Sequence, residues 1–128
     1  MNENYLLDTD ILISYLRGYP ETIDLLKSLA RDGATFSISV ITIVEIEAGI
    51  RSGEKAKTKE LLDSMEGIVF GTPMAHLAGS FLREYRRKGV SLSLADVMIA
   101  ATAIIENLIL ITYNQRHYPM PQIKLHTL

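Results

Sequence analysis

Residues 92–114 constrain the fold more than any other stretch of this 128-residue chain. Ser93 is placed to cap a helix that runs to about Glu106. Leu94, Val97, Met98, Ile99, Ile104 and Ile105, together with four alanines, cover nearly every face of that helix. A helix that is apolar all round is a buried helix. Asn107 ends it, and 108–111 then reads as a short, fully buried strand. One carboxylate, Asp96, sits in the first turn of this apolar helix. Burying a carboxylate is costly unless something compensates the charge.

Around this unit the chain alternates short β-prone runs with helical periodicity. Strands are predicted at 5–7, 34–39, 67–71 and 108–111, with a last edge strand at 122–126. Helices are predicted at 10–16, 20–31, 41–50, 54–65 and 73–88, in addition to the buried one. Pro20 and Pro73 suit first helical turns, and Gly18, Gly33 and Gly53 suit helix ends. Such alternation builds βαβ units and a parallel sheet, so the fold class is α/β. Ligand sites in these sheets lie beyond the carboxyl ends of the strands. Asp8 directly follows the first predicted strand, and Thr112 to Asn114 directly follow the fourth, which puts both on one rim. The length suits a single domain, 1–128, without repeats or linkers.

Three carboxylates stand in apolar settings: Asp8, Glu45 and Asp96. Each has a local structural explanation. Asp8 or Asp10 fits a helix N-cap, and both Thr42-Ile-Val-Glu45 and Ser93-Leu-Ala-Asp96 fit a capping box. Glu47 is the neighbour of Glu45, but two positions along a helix it points elsewhere and reads as a surface residue. A cap contributes roughly 1 kcal/mol, whereas several carboxylates gathered in a dry rim repel one another by more than that. A divalent cation relieves the repulsion. The chain has no cysteine and no histidine pair at metal-binding spacing. Oxygen ligands alone suit Mg²⁺, or Mn²⁺, better than Zn²⁺. A water activated there is a nucleophile for a phosphodiester.

Four segments carry a resemblance to a known family. Asp8-Thr-Asp with its apolar helix, Thr42-Ile-Val-Glu45-Ile-Glu-Ala-Gly, Leu94-Ala-Asp96-Val-Met-Ile-Ala-Ala and Thr112-Tyr-Asn-Gln-Arg-His-Tyr resemble, in order and spacing, the four motifs of the PIN domain. More narrowly they resemble the VapC toxins of type II toxin–antitoxin modules. The resemblance covers residues 5 to about 118. It implies a three-layer α/β/α fold with a mostly parallel sheet and a Mg²⁺-dependent ribonuclease site. In that site Asp8, Glu45 and Asp96 correspond to the three main acids and metal ligands. It further implies an RNA substrate, a cognate antitoxin and a homodimer. One departure stands out: many relatives carry a fourth acid where this chain has Asn114, a neutral residue able to ligate through its carbonyl or to position a water.

Net charge is −2, so no global field draws in nucleic acid and any contact with it is local. Arg86 and Arg87 lie with Arg83 and Lys88 at a predicted helix end, where compensation of the helix dipole competes with a phosphate-binding role. Arg17 and Arg116 are further candidates for RNA contact. His117 reads as a loop residue, and His76 and His126 as lone surface or edge histidines. Tyr113 and Tyr118 flank the site, either packed or free to stack on an unpaired base. Leu77, Phe81 and Leu82 on the long helix offer apolar surface for a dimer. The first residues lack the basic start and apolar core of a signal peptide, and no apolar run reaches membrane-spanning length, which is the pattern of a cytoplasmic protein without membrane contact. Two other functions fit parts of this pattern: a PIN-like module that binds RNA without cutting it, and a receiver-like signalling domain that binds Mg²⁺ through an acid pair such as Asp8 and Asp10. The second lacks a phospho-accepting aspartate after a central strand and a lysine after a late one. A glycine-rich phosphate loop is also missing.

Overall fold

The computed structural model describes residues 3–128; Met1 and Asn2, part of the start expected to carry no targeting signal, lie outside the described residues. Five strands, β1 (Asn4–Leu7), β2 (Thr35–Ser39), β3 (Glu66–Ile68), β4 (Ile109–Ile111) and β5 (Lys124–Leu125), form one sheet in the order β3-β2-β1-β4-β5. Every pairing is parallel. The helices are α1 (Thr9–Leu16), α2 (Pro20–Arg31), α3 (Val40–Ala48), α4 (Lys55–Asp63), α5 (Thr72–Arg87) and α6 (Leu94–Ile105), with a short 3-10 turn at Gln115–His117.

The pleat of β1 sorts the molecule into three layers. Leu6 faces a core built with Phe81, Tyr85, Val97, Ile99 and Leu110, beneath α5 and α6. Tyr5 and Leu7 face the opposite core with Ile11, Leu12, Leu26, Ile38 and Ile46, beneath α1 to α3. From β1 the chain winds outward through β2 and β3, then returns to the other side of β1 as β4 and β5. The order of winding reverses between β1 and β4. A crevice at the carboxyl ends of these two strands is where such sheets bind ligands. Among the described residues, no helix is long and apolar enough to cross a membrane.

Helix α6 is buried along its length but exposes its two ends: Leu94 is 63% accessible and Ile105 also faces solvent. Its cap is the expected one, with Ser93 Oγ accepting from Asp96 N–H at 3.0 Å. Asn107 closes it with φ +55°, the left-handed conformation that asparagine tolerates. Helix α3 departs from expectation. Ser39, not Thr42, is its N-cap, accepting from Ile41 N–H, and the helix stops at Gly49 rather than Gly53. Thr42 therefore lies inside the helix, and the capping-box explanation of Glu45 fails. Phe81 is fully consumed by the core beneath α5, so it offers nothing to a dimer; Leu77 and Leu82 are partly buried there as well.

Candidate active site

The crevice between β1 and β4 gathers acids from three elements. Asp8 directly follows β1 and caps α1: its Oδ1 accepts from Thr9 N–H at 2.8 Å. Its Oδ2 accepts from the Thr112 hydroxyl at 2.7 Å and from the Tyr118 hydroxyl at 2.9 Å. The backbone completes the junction, with Asp8 N–H donating to Ile111 C=O at 3.0 Å. Asp96 approaches from the first turn of α6, and its Oδ1 lies 3.4 Å from the same Tyr118 hydroxyl. Its Oδ2 lies 3.4 Å from His117 Nδ1, an ion pair when the imidazole is protonated. Asp8 and Asp96 are thus one phenol oxygen apart. Asp8 is buried at 6% exposure, whereas 23% of the Asp96 side chain remains accessible.

Glu45 reaches the rim from α3 on the far side of Asp8. Its Oε1 accepts from the Thr9 hydroxyl at 2.6 Å, so it joins the cluster through Thr9 rather than through Asp8 or Asp96 directly. Thr42 stands 3.2 Å from the same Thr9 oxygen. Asn114 is exposed; its N–H donates to Thr112 Oγ1 at 3.1 Å, which attaches it to the Asp8 network by backbone. Among the described residues, no three carboxylate or imidazole side chains are arranged to hold one ion among them. Two carboxylates among oxygen donors suit a hard cation that keeps several of its waters. The donors are all oxygen, and the Asp96 charge adds to the burial that raises the Asp8 pKa.

Asp10, which the sequence offers as a helix cap or as half of a receiver-like acid pair with Asp8, has a different place in the structure. Its Oδ2 accepts from Tyr113 N–H at 3.0 Å and lies 3.3 Å from the Thr112 hydroxyl. Its Oδ1 is buried without a hydrogen-bond partner among the described residues. Burial, helped by the nearby Asp8 charge, pushes its pKa up to about 6. Asp8 is raised too, by burial first, against the hydrogen bonds of Thr112, Tyr118 and Thr9. Acids whose pKa is higher folded than unfolded bind more protons in the native state over that interval. Stability therefore falls as pH rises from the ordinary carboxylate range through about 6. Metal-free protein is expected to melt at a higher temperature at pH 5 than at pH 7, with Mg²⁺ shrinking the difference. Thermal melts in chelator check this, and a melting temperature that climbs from pH 5 to pH 7 would contradict it.

The remaining candidates scatter around the rim. Arg17 shares a small groove with Glu45, Ile13, Ile46 and Ile50. Arg86 borders a hollow with Gly89, Val90 and Leu92, on the loop that leads into α6. Arg87 is exposed beside it in the last turn of α5, where it also compensates the helix dipole. Arg116 lines a shallow pocket with Tyr113, Asn114 and Leu128. Tyr118 is 3% exposed and cannot stack on a base, which removes that option. Tyr113 is 44% exposed, with its hydroxyl bonded to buried Thr22. Sequence reasoning missed Thr9, Thr112 and the Tyr118 hydroxyl as partners of the acids. The available signal was chemical: a buried tyrosine needs a partner for its hydroxyl.

A fully parallel five-stranded α/β/α sandwich with acids at the β1–β4 crevice is the architecture of a PIN domain. The family model for the PIN domain matches residues 5–122, and the chain belongs to that family. It is 38% identical to ribonuclease VapC10 of Mycobacterium tuberculosis over 115 residues, covering 90% of this chain and 86% of the relative. It is 33% identical to ribonuclease VapC19 of the same organism, covering 90% and 92%. Among solved structures it resembles VapBC2 from Rickettsia felis bound to a promoter DNA fragment, with a TM-score of 0.86, 26% identity and 98% of each chain covered.

Proposed function

We propose that the protein is a metal-dependent endoribonuclease and the toxin of a type II toxin–antitoxin pair. The observation that carries this is the meeting of Asp8 and Asp96, from β1 and α6, on one buried hydroxyl at the sheet's switch point. Relatives with ribonuclease names, similar along nearly the whole chain, support the same reaction.

Asp8 and Asp96 would hold the cation, Mg²⁺ or alternatively Mn²⁺. When bound, it supplies a Lewis acid for the phosphoryl oxygen and lowers the pKa of a water. Thr9 N–H and the Thr112 hydroxyl fix the Asp8 carboxylate in orientation. Glu45, anchored at Oε1 by Thr9, orients the attacking water and takes its proton. Asn114, neutral and exposed, positions that water or the phosphate through its amide. Arg17, Arg86, Arg87 and Arg116 meet RNA phosphates around the rim.

The antitoxin has two complementary surfaces. The acidic rim attracts arginine or lysine from its tail. An apolar groove lined by Leu12, Tyr15, Leu26, Phe36, Leu61 and Met65 suits the apolar face of a helix. The toxin pairs with itself as a symmetric homodimer. Both partners meet it in the cytoplasm. Sedimentation at micromolar concentration tests the dimer, and a monomer counts against it.

The deciding experiment is cleavage of structured RNA by the purified chain with Mg²⁺ and with chelator. Cutting is expected with Mg²⁺ and is expected to stop with chelator. RNA bound but uncut under both conditions would replace the enzyme with a PIN-like binding module. Cutting that persists in chelator would remove the metal.

A further inference from the structure

Tyr118 holds the place between Asp8 and Asp96 that the function proposed above assigns to a cation. Its ring is buried, and its hydroxyl lies 2.9 Å from Asp8 Oδ2 and 3.4 Å from Asp96 Oδ1. A phenol carries one proton, and the shorter contact identifies Asp8 as its acceptor. Each carboxylate oxygen accepts about two hydrogen bonds. Asp8 Oδ2 already accepts two, from Thr112 and Tyr118. Asp8 Oδ1 is committed to Thr9 N–H. The face of Asp8 that looks toward Asp96 is therefore occupied by the Tyr118 proton.

We propose that the Tyr118 hydroxyl is a built-in substitute for the cation, which stabilises the metal-free carboxylate pair and must release Asp8 Oδ2 when a divalent ion binds between Asp8 and Asp96. The proposal rests on the metal-dependent assignment above. Thr112 and Thr9 cannot play this part, because neither touches Asp96 in the structure. His117 cannot either, since it reaches only the outer oxygen of Asp96. Among the described residues, Tyr118 alone spans both acids. Its neutrality matters: a lysine in the same place would neutralise the pair and exclude the ion, whereas a phenol donates one hydrogen bond and yields. The hydroxyl thus sets the cation concentration at which the site fills. Tyr118 acts on the reaction through Asp8 and is a positioning residue.

The substitution that isolates this role is Tyr118→Phe, which keeps the buried ring and removes the one oxygen. Asp8 Oδ2 then regains a free lone pair, and the Asp8–Asp96 repulsion is no longer damped. Calorimetric titration of the full chain with Mn²⁺, and separately Mg²⁺, is expected to show Tyr118→Phe binding about tenfold more tightly than wild type, the scale of one hydrogen bond to a charged acceptor. In chelator the variant is expected to melt at a lower temperature than wild type. With saturating cation the gap is expected to close, which a variant damaged only in packing cannot do. Wild type is also expected to show a near-ultraviolet tyrosine difference spectrum on adding Mg²⁺ that Tyr118→Phe loses. Equal or weaker cation binding by Tyr118→Phe overturns the substitute role and leaves Tyr118 as a structural brace. Wild-type protein that takes up neither cation overturns the metal assignment itself, and this proposal with it.

Discussion

Asp96→Asn is expected to abolish RNA cleavage while the protein stays folded. The carboxylate lies at the start of α6, partly accessible, with one oxygen near Tyr118 and the other near His117. Asparagine keeps the size and can still meet both neighbours, since the Tyr118 hydroxyl can approach its carbonyl and its amide can face the imidazole. The charge and one acceptor oxygen are lost. Without the charge one of the two acids that would hold the cation is gone, and loss of one such electrostatic element costs on the order of a hundredfold or more in rate. The helix start is untouched, because the cap is the Ser93 hydroxyl on the Asp96 backbone N–H, and asparagine retains that N–H. Removing one of two like charges also relieves repulsion on Asp8, which burial already raises and Asp96 raises further. The metal-free melting temperature is therefore expected to hold or rise. Cleavage assays with Mg²⁺, alongside melts in chelator, measure both. An Asp96→Asn enzyme that cuts at the wild-type rate would reduce Asp96 to a first-turn residue that favours the helix dipole.

Asp8 separates activity from stability more sharply, because it has both duties. It caps α1 and accepts three hydrogen bonds from Thr9, Thr112 and Tyr118. Asp8→Ala is expected to lose cleavage and also to destabilise the fold. The lost cap costs about 1 kcal/mol. The buried Thr112 and Tyr118 hydroxyls lose their acceptor at about 1–3 kcal/mol for an unsatisfied group. A total on the order of 3 kcal/mol is expected, because Thr112 can turn to Asp10 and recover part of it. Asp8→Asn is expected to lose cleavage as fully, by at least about a hundredfold, with much less destabilisation. Its carbonyl can still accept from Thr9, and the hydroxyls can rotate to accept from its amide. The pair is read by urea denaturation and the same cleavage assay. Equal destabilisation by Asn and Ala would mean that the charge, not the hydrogen-bonding pattern, holds this corner of the molecule together.

The sequence by itself determined the order of elements, because hydrophobic periodicity and cap residues are local signals. Pro20–Arg31 emerges with its predicted bounds, and α6 begins one residue after its Ser93 cap as expected. Asp8 and Asp96 were legible as unusual because a charge in an apolar run is a local anomaly. Boundaries failed where tertiary contacts outweigh propensity. Residues 67–71 read as five β-prone positions, yet β3 is the three-residue Glu66–Ile68, since a strand lasts only as long as its neighbour pairs with it. Helix α3 starts at Val40, capped by Ser39, because β2 ends there, which takes Glu45 out of its capping box.

Only the tertiary structure decided how the acids meet. Asp8 and Tyr118 lie 110 positions apart, and the pairing of β1 with β4 brings them together. No periodicity encodes that distance. It also decided that Asp10 belongs to the network through Tyr113 and Thr112, and that Glu45 enters through Thr9. A side chain's residue type states which bonds it can make. Which bonds it does make depends on the strand order, and strand order is a property of the packed sheet.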